Sequence, residues 1–191
     1  MRKHAPPSCS FALLAVSLLC LLRCHDSAAR DITIDSAHEK IENEMLLLDA
    51  DARFEFSEDA LKAIDSGIPL TIQLEVTVAQ ARRYWWDSQL VKTHRKLIIE
   101  RHALSNQFLL IDKVSGERRI FSELTLAIAE LGRIRNLPVV EIENLTRHRS
   151  YVIGLRLWLD LRSLPGPLIP IAYISPGWHM SSGWYRWQMD R

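Results

Sequence analysis

Two stretches of this chain place apolar residues at every second position. In residues 70–78 all even-numbered residues are apolar, and in residues 151–161 all odd-numbered residues are apolar. A period of two residues puts such a set on one face of a β-strand. Strands with one apolar face are typical of antiparallel sheets whose other face meets solvent. The alternation therefore predicts a mainly β protein.

Other segments predict further strands and two helices. Helix 57–67 has Ser57 as its N-cap and Gly67 at its end, and helix 122–132 has Ser122 as its N-cap. We predict that segment 44–56 bends at Asp49. The shorter predicted strands are 31–36, 44–56, 93–102, 106–113, 117–121, 138–145 and 168–174.

The two helices lie in similar surroundings. "LLLD" at 46–49 and "FSE" at 56–58 precede the first helix, and "LLID" at 109–112 and "FSE" at 121–123 precede the second. This likeness predicts two degenerate strand–hairpin–helix–strand repeats, 44–102 and 107–162, followed by a closing segment, 163–191. Chance similarity of common turn and helix-start residues is the alternative. The predicted fold is an antiparallel β-sandwich with two short helices, one at each crossover.

The first 29 residues have the pattern of a secretory signal peptide. A short basic start precedes the uncharged run 9–22, and Ser27 and Ala29 fit a small-x-small cleavage site. This predicts a periplasmic protein whose single domain is residues 30–191. The alternative is an inner-membrane anchor formed by residues 9–22, although 14 residues are fewer than the roughly 20 needed to span a bilayer.

Charge divides the mature chain unevenly. Residues 30–75 carry 12 acidic and 4 basic side chains, whereas residues 76–191 carry 10 acidic and 17 basic ones. The two sets either neutralise each other within the fold or leave a basic face for an acidic partner or anionic headgroups. The basic residues form no continuous run, so no nucleic-acid partner is predicted.

Catalytic and metal-binding patterns are not recognisable. The three cysteines, at positions 9, 20 and 24, all lie in the predicted signal peptide, so the mature chain has no thiol chemistry. The mature histidines lack metal-binding spacing. The residues that most resemble a catalytic pair are His179 and Ser181, which would share one face of a strand. No acidic residue lies close in sequence to orient the histidine. We predict no enzyme activity, no metal and no cofactor.

Tryptophans are concentrated in two segments. "RRYWWD" at 82–87 follows an alternating strand, and "SPGWHMSSGWYRW" at 175–187 holds three of the six tryptophans. The second segment either closes the core or forms a binding face for a partner or for the bilayer interface, where tryptophan is favoured. The candidate interaction surface consists of Tyr84, Trp85, Trp86, Trp178, Trp184 and Trp187.

These motifs carry a family resemblance. "YWWD" at 84–87 and the pattern LP-x-PL…W-x-x-SS-x-W-x-x-W at 164–187 resemble an uncharacterised family of exported proteobacterial proteins, described as a domain of unknown function. The resemblance covers roughly Ile32 to Met189. It implies a signal peptide, an envelope location and genes that often lie beside a membrane sensor kinase. It implies no catalytic residue.

The sequence thus predicts a non-enzymatic periplasmic or envelope interaction module, with a membrane-bound sensor or another envelope protein as its partner and peripheral membrane contact as a further option. The alternative function is a carrier of an apolar ligand or lipid, held in a cavity between the two sheets.

Overall fold

The computed structural model describes residues 31–80, 88–146 and 149–189. Nine strands and three α-helices lie in these ranges. The strands are β1 (Ile32–Glu42), β2 (Met45–Phe54), β3 (Leu70–Gln80), β4 (Ser88–His102), β5 (Gln107–Asp112), β6 (Arg118–Phe121), β7 (Arg133–Glu141), β8 (Tyr151–Leu159) and β9 (Tyr185–Gln188). The helices are α1 (Glu58–Asp65), α2 (Leu124–Leu131) and α3 (Leu168–Ile174).

The strands form two antiparallel sheets. The smaller sheet has the order β1-β2-β7, and the larger has the order β6-β5-β4-β3-β8-β9. Apolar side chains from both sheets and all three helices form one hydrophobic core. The mainly β, antiparallel sandwich predicted from the alternation is confirmed.

Strands β3 and β8 form the centre of this core. They pair in register, so that Ile72 lies opposite Leu159 and Val76 opposite Leu155. All the predicted inward positions of β3 are fully buried. The outward positions differ from the expectation of a solvated face, because Gln73 and Glu75 are also buried. A central strand has neighbours on both sides, and their long side chains cover its outward residues.

Each of the first two helices connects one sheet to the other. α1 leads from β2 in the smaller sheet to β3 in the larger, and α2 leads from β6 in the larger sheet to β7 in the smaller. The expected helix at each crossover is thus present. The two crossovers run in opposite directions between the sheets. The matched stretches also differ in which residues are buried, since Leu46 is buried whereas its counterpart Leu109 is partly exposed. The two repeats therefore stay a prediction.

The start of α1 follows the prediction, and the start of α2 does not. The Ser57 hydroxyl accepts a hydrogen bond from the Ala60 amide at 3.2 Å, which satisfies one free donor of the first turn. At α2 the N-cap position is Glu123 rather than Ser122, and it makes no side-chain cap hydrogen bond. The β2–β7 register shifts between Leu48 and Ala50, on either side of Asp49, while the predicted bend at Asp49 stays a prediction.

The prediction of a strand at 168–174 is wrong, because these residues form α3. The chain therefore has three helices among its described residues, not two. Pro170 lacks the amide hydrogen that a strand ladder requires, but it is tolerated in the first turn of a helix, where the amide has no intrahelical partner. In the run 168–174, apolar residues do not alternate with polar ones, so the sequence pattern cannot distinguish a strand from a helix.

Candidate interaction surface

The outer face of the six-stranded sheet carries a group of tryptophans and arginines. In β8, Leu155 and Leu157 point into the core, so Arg156 and Trp158 point outward. β9 pairs with β8 so that Arg186 lies opposite Gly154 and shares this outer face. We call Arg156, Trp158, Trp184 and Arg186 the aromatic–basic stripe.

Each arginine of the stripe lies over an indole. The Arg156 guanidinium carbon is 5.2 Å from the centre of the Trp158 ring, and that of Arg186 is 5.5 Å from the Trp184 ring. Both distances lie within the roughly 6 Å at which a cation is attracted to an aromatic face. Within the described residues, Arg156 Nε is buried and has no hydrogen-bond partner. The contact with Trp158 is therefore one of the interactions that hold this side chain.

A glycine gives Trp184 its place on the sheet. A Cβ atom at Gly154 would lie 3.2 and 3.3 Å from two carbons of the Trp184 ring, and 2.8 Å from Thr77 Oγ1. Such distances are closer than van der Waals contact allows, so a larger residue would displace the ring. The indole is 37% exposed and forms part of the protein surface.

Beside the stripe, acidic and amide side chains of β3 are already paired. Glu75 lies opposite Arg156 in the β3–β8 register, and its carboxylate forms an ion pair with Lys92, whose Nζ lies 2.7 Å from Glu75 Oε1. Gln73 donates to Asp160 Oδ2 at 2.7 Å. Arg186 and Lys96 are exposed on the same face. The outer face around the stripe therefore has more cations than anions.

An open groove continues the stripe toward α3. It has a volume of about 650 Å³ and lies at the end of β8, where Trp158 is opposite Ser181 in an isolated bridge. This volume falls in the usual range of ligand sites, but the groove is open rather than enclosed. Its lining combines two aromatic rings with charged and amide groups: Gln73, Lys96, Trp158, Asp160, Arg162 and Tyr173.

The predicted surface tryptophans have different environments. Tyr84, Trp85 and Trp86 lie outside the described residues. Trp178 is only 5% exposed and belongs to the core, so its assignment to an interaction surface is corrected. It follows α3 in a short 3₁₀ turn that packs against α1.

Trp184 and Trp187 lie on opposite faces of the sheet. Trp184 is on the outer face, as predicted for a surface residue. Trp187 lies opposite Ile153, which is buried, and its Nε1 donates to Glu39 Oε2 of β1 at 2.5 Å. Trp187 therefore connects the larger sheet to the smaller one.

Sequence reasoning missed three members of this site: Arg156, Trp158 and Arg186. The alternation in 151–161 already placed Arg156 and Trp158 on the face away from the core. The alternation could not predict that β8 pairs with β9, and this pairing brings Arg186 and Trp184 beside Arg156 and Trp158.

His179 has a structural partner in the described chain. Its Nε2 lies 3.2 Å from the Ala172 carbonyl oxygen and 3.1 Å from that of Tyr173, both near the end of α3. Ser181 Oγ accepts a hydrogen bond from the Gly183 amide, and Ser182 Oγ accepts one from the Leu157 amide of β8. These contacts join the closing segment to α3 and to the sheet.

Among protein-family models, that of the domain of unknown function DUF4390 matches residues 29–188. The chain belongs to this family. The match begins at the predicted cleavage site and includes all nine described strands of the DUF4390 domain. No curated protein and no solved structure matches the chain.

Two small cavities lie between the sheets of this DUF4390 domain. One of about 150 Å³ is lined by Arg95, Arg119, Glu130, Arg133 and their apolar neighbours. Another of about 210 Å³ adjoins it near Asp112. The arginines here have carboxylate partners, such as Glu130 for Arg119 and Asp112 for Arg95.

Asp112 is the most deeply buried carboxylate of this network. Burial raises its pKa, but the hydrogen bonds from Arg95 and from the Val114 amide outweigh burial, so the pKa is lower than that of an ordinary aspartate. The group is therefore ionised at neutral pH and neutralises Arg95 between the sheets.

No three metal-ligating side chains in residues 31–80, 88–146 and 149–189 approach closely enough to hold a metal ion. In the same ranges, none of the helices has the length and hydropathy required to cross a bilayer.

Proposed function

We propose that this DUF4390 domain is a non-enzymatic module of the cell envelope that binds a partner protein through the aromatic–basic stripe. The observation that carries the proposal is the pair of arginine–tryptophan contacts, Arg156 with Trp158 and Arg186 with Trp184, side by side on the outer face. Tryptophan and arginine are the residues that most often dominate binding energy at protein interfaces.

The chemistry of the stripe favours an acidic, extended partner segment. Arg186 is exposed, and its guanidinium can donate two parallel hydrogen bonds to a carboxylate while it remains over the Trp184 ring. Lys96 adds a second exposed cation at the groove. The adjoining indoles offer apolar surface to the side chains between the carboxylates of the partner.

Export and the identity of the partner are part of the proposal. The signal-peptide pattern in residues 1–29 supports an envelope location, with cleavage after Ala29. The resemblance supports a membrane-bound sensor, whose extracytoplasmic segment would occupy the stripe.

The alternative, a carrier of an apolar ligand, has less support. A cavity of about 150 Å³ accommodates a molecule the size of benzene rather than a lipid chain, and this cavity is lined by charged side chains such as Arg119 and Glu130, which pair with each other. Native mass spectrometry of residues 30–191 tests this alternative, because a carrier would retain a lipid-sized mass.

Affinity capture from envelope extracts tests the proposed function. The bait is residues 30–191, compared with the double variant Trp184→Ser/Arg186→Glu and with the control Arg118→Glu. Arg118 is exposed on β6 at the opposite edge of the same sheet. We expect one membrane protein to be recovered equally by wild type and control, and about tenfold less by the double variant, a loss of about 1.4 kcal/mol. Equal recovery by all three folded baits would contradict the proposal.

A further inference from the structure

A row of three side chains crosses the larger sheet at the groove beside α3. Gln73 of β3 lies opposite Lys96 of β4 on one side and opposite Trp158 of β8 on the other. Because neighbouring strands are about 4.8 Å apart, the three residues follow one another over about 10 Å of the sheet. All three line the open groove of about 650 Å³, which Tyr173 of α3 also lines.

The two aromatic rings of the groove come from different elements. Trp158 extends from the sheet, and Tyr173, which is 49% exposed, extends from the helix. Arg156 lies over the Trp158 ring but does not line the groove, so the part of the indole that faces the groove is not covered by this arginine. The negative face of an aromatic ring attracts C–H groups, which carry a small positive charge.

The carboxylate of the groove is held in one orientation. Asp160 Oδ2 accepts a hydrogen bond from Gln73 Nε2 at 2.7 Å, and Oδ1 accepts one from the Arg162 amide at 3.1 Å. A carboxylate has about four acceptor positions, so about two remain for a ligand. Since the side chain is already ordered, a ligand that binds it loses less free energy to ordering.

Charges of both signs line the groove. Its described lining includes the cations Lys96 and Arg162 and the anion Asp160. Such a lining does not favour a ligand with a high charge of one sign. It favours a ligand whose polar groups both donate and accept hydrogen bonds, and hydroxyl groups do both.

We propose that this groove binds a saccharide chain. One face of a sugar ring presents C–H groups, which would pack against Trp158 and Tyr173, and its rim carries hydroxyl groups. Asp160 accepts hydrogen bonds from these hydroxyls, while Lys96 and Arg162 donate to them. The groove is open rather than enclosed, so a chain longer than the groove can extend beyond it. The inference does not depend on the proposed protein partner.

Isothermal titration calorimetry of residues 30–191 tests this inference, since every described strand and helix lies in that range. The probes are three neutral, soluble oligosaccharides: chitotetraose, cellotetraose and maltotetraose. We expect at least one of them to bind with a dissociation constant below about 1 mM. The three probes differ in ring substituents and in linkage, so the strongest of them identifies the kind of chain.

Tyr173→Ala and Tyr173→Phe form a matched pair of variants. The alanine variant removes the ring and should weaken binding by about tenfold or more, whereas the phenylalanine variant retains it and should stay within about threefold of wild type. Tyr173 is half-exposed, so neither change removes a side chain from the core. Trp184→Ser/Arg186→Glu should bind the saccharide like wild type, because neither residue lines the groove.

Tryptophan fluorescence gives a second readout that reports on the site itself. Trp158 is the tryptophan of the described groove lining. The emission of wild type should change when the saccharide binds, and Trp158→Phe should remove most of this change. If the phenylalanine variant kept the full emission change, the saccharide would lie elsewhere and the inference would be wrong.

Two further results would overturn the inference. The first is the absence of binding by wild type for all three oligosaccharides at about 5 mM, well above the expected dissociation constant. The second is equal binding by Tyr173→Ala and wild type. If Tyr173→Ala instead reduced capture of the membrane protein while no saccharide bound, the groove would belong to the protein interface. The proposed function would then stand and the saccharide site would not.

Discussion

The indole of Trp184 packs directly on the backbone of Gly154, with no side chain between them. This contact lets the second arginine–tryptophan pair lie beside the first on the outer face. A glycine in the middle of a strand normally weakens it, and here it serves the close approach of a ring.

Gly154→Ala should disrupt this contact. The added methyl group would lie within 3.3 Å of the ring and 2.8 Å from Thr77 Oγ1, so both side chains must move. We expect the free energy of unfolding to fall by about 1–3 kcal/mol, as for other overpacked sites. Urea denaturation measures it. Gly166→Ala is the control, because nothing lies within 4 Å of its Cβ position. Equal losses in both variants would disprove the proposed contact.

Two of the C-terminal tryptophans, Trp178 and Trp184, should differ in their effect on stability. Trp178→Ala removes a buried ring and should lower the free energy of unfolding by about 3–5 kcal/mol. Trp184→Ala removes a half-exposed ring and its contact with Arg186, which should cost about 1 kcal/mol. Thermal melts followed by circular dichroism provide the comparison. The structure would be contradicted if Trp184→Ala proved the more damaging of the two.

The pairing of Asp112 with Arg95 makes stability depend on pH. The folded-state pKa of Asp112 is below its unfolded value of about 3.9, so its contribution is complete above that value and is lost as pH falls through the folded pKa. Asp112→Asn should therefore lower the free energy of unfolding by about 1–3 kcal/mol at pH 7. The difference from wild type should shrink below about pH 4.

Asp35→Asn is the matched control for this measurement. Asp35 pairs with Arg53 at 2.5 Å, but both side chains are exposed, and such pairs contribute about 0–1 kcal/mol. Urea titrations of the three proteins at several pH values give the comparison. A constant difference between Asp112→Asn and wild type from pH 7 to pH 3 would show that the carboxylate charge does not act as described.

Strand prediction succeeded where the alternation was strict. The residues of β3 and β8 that face the core were predictable, because a period of two residues determines which side chains share a face. The buried outer positions Gln73 and Glu75 were not predictable, because their burial depends on side chains of neighbouring strands. The helix α3 was missed for a different reason: the run 168–174 is apolar throughout apart from a single proline, Pro170, and such a run carries no period.

The candidate site depended on information that no local pattern contains. Trp184 and Arg186 are separated from Arg156 and Trp158 by about 30 residues of sequence, and the β8–β9 register brings them together. The concentration of tryptophan near the C-terminus did indicate that this segment contributes to the candidate site. It could not show that Trp178 is buried, that Trp184 is on the outer face, and that Trp187 faces the smaller sheet.

The most direct test of the interaction surface is photo-crosslinking in intact cells. A photoreactive phenylalanine analogue replaces Gln188 in one strain and Arg118, at the opposite edge of the same sheet, in another. Gln188 is exposed on the same face of β9 as Arg186, so the stripe itself stays intact. If the stripe binds a partner, position 188 should give a discrete adduct with an envelope protein, and position 118 should not. Adducts of equal yield at both positions, or none at position 188 while the protein is folded and exported, would contradict the proposed function.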